Sequence, residues 1–325
     1  MKILLTGCCG FIGFNFANYL INSSKKVKII GLDNLNNYYS TDLKKKRLLK
    51  LKKHKRFSFQ KIDINEYEKL LKIFDNNKFN FVFNFAAQAN VRYSFVNPKA
   101  YVESNINGFF NILDLSIKNK IKKVFYASSS SIYGDSKKFP TKEKSTLNPK
   151  NIYGLSKKIN EDMAEILSAK SNTQCIGLRF FTIYGEWGRP DMFLFKYLES
   201  CFNPKKVFRL NNFGNHLRDF TYIKDVCEIL KKLMTTNIKN KHIVFNISSN
   251  NPIKITKIID DINFLVGKKA QIKKIPLQTS EMYKTHGDNS LIKKMINKKK
   301  FTSINIGLKN TVDWFVSNKD KIKLY

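Results

Sequence analysis

The chain begins with "KILLTGCCGFIGFNFANYLINS", in which a short apolar run ends in a turn with three glycines and a helical pattern follows. A second apolar run, "VKIIGLD", then ends at Asp33, 20 residues after Gly13. Strand, glycine turn, helix and second strand ending in an acid together form a β-α-β unit. No other feature restricts the fold as strongly, because this order predicts a parallel sheet with a helix crossing one face.

The residue types in this unit suit a dinucleotide. Gly7 permits the bend after the strand, Gly10 lets backbone N–H groups approach a pyrophosphate, and Gly13 lets the helix pack closely. Asp33 is placed to accept hydrogen bonds from a ribose diol, and it repels a 2′-phosphate. The sequence therefore favours NAD over NADP.

The same stretch also begins as a secretory signal does, with a basic residue before an apolar run. Its glycines, Asn15 and Asn18 interrupt that run, and no small-residue cleavage site follows, so export is not expected. The five cysteines are odd in number and show no zinc-ligand spacing. This predicts free thiols in the cytoplasm and no metal site. No apolar stretch approaches the ~18 residues of a membrane span.

Strands alternate with helices through the first 182 residues, and the strands are near-continuous apolar runs. This pattern predicts an α/β fold with a Rossmann-type, doubly wound parallel sheet. We predict an NAD-binding domain over 1–182. Shorter elements follow and predict a smaller, mixed α/β substrate domain over 183–325. Short segments from 215–250 are candidates to rejoin the first domain.

A candidate catalytic group lies in the second half of the first domain. In "NIYGLSKK", Tyr153 and Lys157 are spaced to share one helix face. A phenol with a pKa near 10 needs ~4 kcal/mol of differential stabilisation to act as a base near neutral pH, and a lysine one turn away would contribute to it. "YASSSSIYG" places Ser129 at the carboxyl edge of the sheet, where such folds bind ligands. Each pattern alone is common, and the prediction depends on their combination.

The formal net charge of +34 raises the alternative of a nucleic-acid binder. Of the 59 basic residues only 7 are arginine, and the lysines are scattered without interleaved aromatic residues. Specific readout of phosphates and bases depends heavily on arginine. We therefore interpret the charge as compositional bias and expect no specific nucleic-acid partner. The positive field would still attract an anionic substrate.

Several segments carry a resemblance: "TGCCGFIG", "YASSSSIYG", "YGLSK", "AAQANVRYSFVNPKAYVESNINGFFNIL", "LRFFTIYGEWGRPDMFLFK" and "RDFTYIKDV". Together they resemble the extended short-chain dehydrogenase/reductase family, in its branch of NAD-dependent nucleotide-sugar epimerases and dehydratases. The resemblance covers nearly the whole chain. It implies a homodimer that converts UDP-glucuronate to UDP-galacturonate through a 4-keto intermediate, for polysaccharide biosynthesis. The alternatives are a 4-epimerase of a neutral UDP-hexose or UDP-N-acetylhexosamine and, more distantly, a non-catalytic NAD-binding or nucleic-acid-binding protein.

The resemblance also implies roles for individual residues. Tyr153 matches the catalytic base, Lys157 its partner and Ser129 the active-site hydroxyl. The positions that match cofactor contacts are Gly7, Gly10, Phe11, Ile12, Gly13, Asp33, Asn34, Asp63, Ile64, Ala86, Ala87, Gln88, Tyr153 and Lys157. The positions that match substrate contacts are Ser129, Ser130, Ser131, Thr182, Arg189, Arg218, Gln278, Glu281, Asp288 and Arg92. Asn90 departs from the family pattern, which has a glycine there. Ser130 and Ser131 stand where dehydratases carry an acid pair.

Overall fold

The computed structural model describes residues 1–277 and 282–324. Seven of its strands form one sheet, in the order β10-β6-β5-β4-β1-β2-β3, and all neighbouring pairs are parallel. The strands are β1 (Lys2–Thr6), β2 (Lys28–Asp33), β3 (Phe57–Lys61), β4 (Phe81–Asn84), β5 (Lys123–Ser129), β6 (Gln174–Phe180), β7 (Thr182–Tyr184), β8 (Phe208–Leu210), β9 (Leu217–Tyr222), β10 (His242–Ile247), β11 (Pro252–Lys254) and β12 (Ile272–Lys274). This arrangement confirms the predicted doubly wound parallel sheet.

Helices cover both faces of this sheet. They are α1 (Phe11–Ser23), α2 (Thr41–Lys52), α3 (Tyr67–Asp75), α4 (Tyr93–Val96), α5 (Pro98–Tyr101), α6 (Gly108–Lys118), α7 (Ile152–Ala169), α8 (Phe193–Phe202), α9 (Ile223–Thr235), α10 (Ile255–Val266), α11 (Ser290–Ile296) and α12 (Ile304–Asn318). The described helical segments also include two 3₁₀ turns, Ser130–Tyr133 and Asn211–Gly214.

The core is divided by the sheet into two hydrophobic clusters. In β1, Ile3 and Leu5 belong to the cluster that contains α1. Leu4 belongs to the opposite cluster, with Phe109 and Ile112 of α6. Successive side chains of a strand point to opposite faces, so an unbroken apolar run such as "ILL" is what a strand buried on both faces requires.

The amphipathic pattern of the segment around 97–119 predicts one long regular helix, but the structure divides this segment into three parts. A π-helical turn, Val102–Asn107, joins α5 to α6. Its Asn105 is buried, accepts a hydrogen bond from the backbone N–H of Gln88 at 2.8 Å and donates one to the Gln88 carbonyl at 3.0 Å. Single π turns are frequent at functional sites, and this one fixes the loop that follows β4.

The remaining strands form two small sheets, β11-β9-β7 and β12-β8. β10 leaves this part of the chain and pairs with β6, while α9 packs against α1. Segments from the second half of the chain therefore contact the first, and the division at residue 182 stays a prediction. Within the described ranges, no helix is both long and apolar enough to cross a membrane.

Candidate active site

A cavity of about 870 Å³ opens at the carboxyl ends of the parallel strands. It brings together most of the side chains predicted from the sequence. The predicted residues that line it are Gly7, Gly10, Phe11, Ile12, Gly13, Asp33, Asn34, Asp63, Ile64, Ala86, Ala87, Gln88, Arg92, Ser129, Ser130, Ser131, Tyr153, Lys157, Thr182, Arg189 and Arg218. Asp288 does not line it; its carboxylate instead accepts a hydrogen bond from the backbone N–H of Ser290 at 2.7 Å. Gln278 and Glu281 lie outside the described residues.

The glycine turn forms one end of the cavity. Gly10 is the N-cap of α1 and brings no capping side chain, and the first intrahelical bond runs from Phe14 N to Gly10 O at 3.0 Å. The N–H groups of Phe11, Ile12 and Gly13 precede that bond and have no partner within the helix. Such a helix start attracts an anionic group. This end of the cavity therefore fits the pyrophosphate of NAD.

Asp33 lies beside the turn, at the end of β2. One carboxylate oxygen accepts from Cys9 N at 2.9 Å, and the other accepts from Leu35 N at 2.9 Å. These bonds fix the carboxylate at the cavity wall, and each oxygen keeps a lone pair for another donor. Further along the wall, Asn34 Nδ2 donates to Asp63 at 2.7 Å. The carboxylate acceptors of Asp33 and Asp63 match the donors of a ribose diol and of an adenine edge, and they do not suit a 2′-phosphate.

The predicted catalytic residues meet at the middle of the cavity. Tyr153 lies in the first turn of α7, and the Lys157 Nζ is 6.0 Å from the centre of its ring. A Cβ on Gly154 would be only 2.7 Å from the carbonyl oxygen of Ser131, so glycine at this position allows α7 to begin against the serine turn. The Ser129 hydroxyl accepts from Ser131 N at 3.1 Å, which orients it at that contact.

The electrostatics of this group differ from the sequence expectation. Burial raises the pKa of Tyr153, whereas interaction with the Ser129 hydroxyl and the charge of Arg189 lower it. Burial lowers the pKa of Lys157 to about 7. The sequence predicts that Lys157 contributes to the acidification of the phenol. In the structure the groups that favour the phenolate are Ser129 and Arg189, because Lys157 is itself desolvated and partly neutral near pH 7.

Arg189 is held by an acid that the sequence analysis missed. Asp191 accepts from Arg189 Nε at 2.9 Å and from Nη2 at 2.5 Å. Tyr38 and Asn90 also donate to Asp191, each at 3.1 Å. Although burial opposes ionisation, the charge and hydrogen bonds of Arg189 lower the pKa of Asp191 to about 2. We call Asp191 with Arg189, Tyr38 and Asn90 the Asp191 cluster.

A buried arginine, Arg47, connects the glycine turn to the loop that precedes Arg189. Arg47 of α2 donates to the carbonyl of Cys9 in the glycine turn at 2.8 Å. It also donates to the carbonyls of Trp187, at 2.5 Å, and Gly188, at 3.1 Å. Its side chain is fully buried. The glycine turn and the loop that precedes Arg189 are thus both hydrogen-bonded to one guanidinium.

Other lining residues carry no motif. Tyr38, Lys44, Asp191 and His216 all face the cavity, and burial lowers the pKa of Lys44 to about 8. Asp191 alone had a local signal, since it follows Arg189 by two residues in "GRPD". The others depend on long-range contacts.

Among the described residues, one group of potential metal ligands converges: atoms of Cys8, Cys9 and Asp33 lie within 4.8 Å of one another. Burial raises the pKa of the Cys8 thiol well above its usual value. A protonated thiol is a poor ligand, and Asp33 already accepts two backbone hydrogen bonds. We assign these residues to the architecture of the glycine turn.

Comparison with known proteins gives matches along the chain. A family model described as the NAD dependent epimerase/dehydratase family matches residues 3–248. A UDP-glucuronate 4-epimerase of Thermodesulfobacterium geofontis is 36% identical over 321 residues, covering 98% of each chain. The structure of UDP-glucuronic acid 4-epimerase from Bacillus cereus, in complex with UDP-glucuronic acid and NAD, matches with a TM-score of 0.88 at 26% identity, covering 98% of this chain and 99% of that one. UDP-glucose 4-epimerase from Thermotoga maritima, with UDP-glucose, matches with a TM-score of 0.88 at 25% identity, covering 98% and 100%.

Proposed function

The chain belongs to the NAD-dependent epimerase/dehydratase family, and on that premise we propose that it converts UDP-glucuronate to UDP-galacturonate. The observation that carries the proposal is the single cavity that holds Ser129, Tyr153 and Lys157 beside a dinucleotide-type turn. Inversion at C4 of a UDP-sugar needs a cofactor cradle and an acid–base group facing the same space, and this cavity supplies both.

The residues at the glycine turn bind the cofactor in this proposal. The N-terminus of α1 holds the pyrophosphate of NAD, Asp33 holds its ribose, and Asp63 with Ile64 faces the adenine. Held by these residues, NAD would supply the hydride acceptor for oxidation at C4 of the sugar and the hydride donor for the return step. Lys157 faces the neighbouring ribose of the cofactor in this proposal.

Tyr153 performs the proton transfer. It accepts the proton of the C4 hydroxyl as the sugar is oxidised, and it returns that proton after the 4-keto sugar has turned over. Ser129 donates a hydrogen bond to the same oxygen and keeps it in reach of the phenol. Arg218, which lines the cavity on β9, binds the UDP phosphates; Arg92 adds to the substrate wall.

The carboxylate at C5 is the feature that separates this substrate from neutral UDP-sugars. A 4-keto uronate is a β-keto acid and loses CO₂ readily unless its carboxylate is held in an unreactive orientation. Ser130, Ser131 and Thr182 offer neutral hydroxyl donors for this, and Arg189 offers a cation. The serine turn, Ser130–Tyr133, itself contains no acidic residue that could drive dehydration or decarboxylation.

A 4-epimerase for a neutral UDP-hexose or UDP-N-acetylhexosamine is the second candidate. The same hydroxyl groups can bind a C6 hydroxyl, and the likeness to a UDP-glucose 4-epimerase supports it. Arg189 favours the acidic sugar, because the guanidinium is positioned at the cavity and complements a carboxylate.

The test is to add purified protein to UDP-glucuronate without extra NAD and follow the sugar protons by NMR. We expect signals of UDP-galacturonate to appear, with cofactor carried by the protein. Formation of UDP-galactose from UDP-glucose, with UDP-glucuronate untouched, would transfer the assignment to the second candidate. A steep salt dependence of DNA binding, with neither sugar converted, would instead support a nucleic-acid binder.

We also propose that the protein is a homodimer. α6 and α7 pack side by side, and they expose Phe110 (43%), Leu155 (42%) and Ile166 (70%). A second copy covers such a face by presenting the same two helices. Light scattering should give twice the chain mass of 37.9 kDa, and Ile166→Lys should return the mass to that of a single chain.

We place the enzyme in the cytoplasm, with its product consumed by polysaccharide biosynthesis. The support is chemical: all five cysteines are free thiols. A UDP-uronate is an activated donor for glycosyl transfer. Metabolic labelling of a strain that lacks the gene tests this placement, since galacturonate should disappear from its polysaccharides.

A further inference from the structure

Asn90 has a backbone conformation that its residue type rarely adopts. Its φ is +100°, in the left-handed half of conformational space, where only glycine is free of strain. It follows the β4 loop that carries Ala86, Ala87 and Gln88, and it lines the cavity. Strained residues persist where surrounding contacts hold them, and they concentrate at functional sites.

The contacts of the Asn90 side chain show what holds it. Its Oδ1 accepts from the backbone N–H of Arg92 at 2.9 Å and of Tyr93 at 3.3 Å. Its Nδ2 donates to the carboxylate of Asp191 at 3.1 Å. The Tyr101 hydroxyl donates to the Asn90 carbonyl at 2.5 Å. Every polar group of this side chain therefore has a partner, and glycine could make none of the three side-chain bonds.

Asp191 is the point where three loops meet. Tyr38 comes from the loop after β2, Asn90 from the loop after β4, and Arg189 from the loop before α8. Asp191 binds two of the three guanidinium nitrogens of Arg189. Among the described residues, Nη1 makes no hydrogen bond, and Arg189 lines the cavity. The carboxylate thus leaves Arg189 one donor nitrogen for a ligand.

We infer that Asn90 is a positioning residue: it fixes Asp191 and thereby sets Arg189 over the sugar subsite, and so contributes to the choice of an acidic sugar. The inference rests on the proposed function for the identity of that sugar. The strain at Asn90 is retained because the side chain ties the loop beside the cofactor to the loop that carries the sugar-facing cation.

The experiment has a structural arm that does not depend on turnover. Hydrogen–deuterium exchange is measured on the purified NAD-containing protein for the peptide spanning 186–193, in the wild type and in Asn90→Ala. We expect faster exchange over 186–193 in the variant. Asn297→Ala is the matched control, because Asn297 also has a positive φ, of 49°, but ends α11 and does not line the cavity. Unchanged exchange in Asn90→Ala would overturn the positioning role.

The kinetic arm compares UDP-glucuronate with UDP, which lacks the sugar. Asn90→Ala should reduce kcat/KM for UDP-glucuronate by about tenfold, as for one lost hydrogen bond to a charged group, and leave UDP affinity and bound NAD unchanged. If Asn90→Ala lost affinity for UDP to the same extent as it lost kcat/KM for UDP-glucuronate, the role of Asn90 would be purely structural and the inference would be refuted. If the wild type does not convert UDP-glucuronate, the proposed function fails while the exchange arm still decides the role of Asn90.

Discussion

The substitution Gly13→Ala tests the cofactor turn most directly. A Cβ at residue 13 would lie 2.2 Å from the carbonyl oxygen of Gly7, and real Cβ contacts essentially never fall below 3.0 Å. The turn and the start of α1 must therefore separate by at least 0.8 Å, the difference between those two distances. The obstacle is backbone, so no side-chain rotation relieves it.

The expected loss follows from that displacement. A shift of about 1 Å lengthens a 2.9 Å hydrogen bond to a distance where it contributes almost nothing. Two hydrogen bonds to a charged pyrophosphate contribute roughly 3–6 kcal/mol together. NAD binding should therefore weaken by about 10²–10⁴-fold.

The assay measures NAD released from purified protein by denaturation, then titrates NAD into the emptied protein calorimetrically. Far-UV circular dichroism checks that the variant is folded. Gly267→Ala is the control, because a Cβ there meets nothing within 4 Å, so that its cost comes from the positive φ of Gly267 and not from a clash. If folded Gly13→Ala retains NAD with wild-type affinity, the assignment of this turn to the cofactor is wrong.

Three further predictions concern residues of α7. Tyr153→Phe should lower kcat by at least ~10³-fold in turnover assays. The variant should still bind NAD, which is measured by nucleotide analysis after denaturation. An active variant would show that the phenol has no role in the mechanism. Burial holds the pKa of Lys157 at about 7 in the folded state, against 10.5 ordinarily. Between pH values of about 7 and 10.5 the unfolded chain therefore binds one more proton than the folded chain. The free energy of unfolding of the wild type should rise with pH across that window. Lys157→Met should therefore stabilise the protein at pH 6 and do so progressively less toward pH 10, as urea unfolding will show, and a pH-independent difference would contradict the buried ammonium. Glu161→Gln breaks the buried ion pair of Glu161 with Arg179, at 2.6 Å, and should cost ~3–5 kcal/mol of unfolding free energy. Asp162→Asn is the control, because it breaks the exposed pair of Asp162 with Lys158 and should cost under ~1 kcal/mol. Equal losses in the two variants would refute the effect of burial on the ion pair.

The glycine turn, the parallel sheet and the Tyr153–Lys157 pair could be predicted because each is encoded within a short stretch of sequence. Periodicity shows which strands are buried on both faces, and i, i+4 spacing places two side chains together. The family that the motifs indicated is confirmed by the model that matches residues 3–248. The residue roles remain predictions that the variants above test.

The Asp191 cluster could not be predicted in the same way. Its partners Asn90 and Tyr38 are 101 and 153 residues away from Asp191 in the sequence. No local period encodes such pairs, and the positive φ of Asn90 is invisible in its residue type. The same applies to the π turn at Val102–Asn107, whose extra residue per turn changes helix register without a distinctive sequence signal. The desolvation of Lys157 could not be predicted either, because it depends on all the residues that pack around its side chain.

The buried guanidinium of Arg47 has a consequence for redesigning the enzyme. Because it bonds to Cys9 on one side and to Trp187 and Gly188 on the other, the loop over 185–193 cannot be replaced by that of a relative as an independent module. A chimera that replaces 185–193 without preserving the carbonyl positions of Trp187 and Gly188 leaves the buried guanidinium of Arg47 with unpaired donors. We expect such a chimera to lose NAD binding before its preference among sugars changes. Loop exchange in this scaffold therefore has to carry α2 along with it.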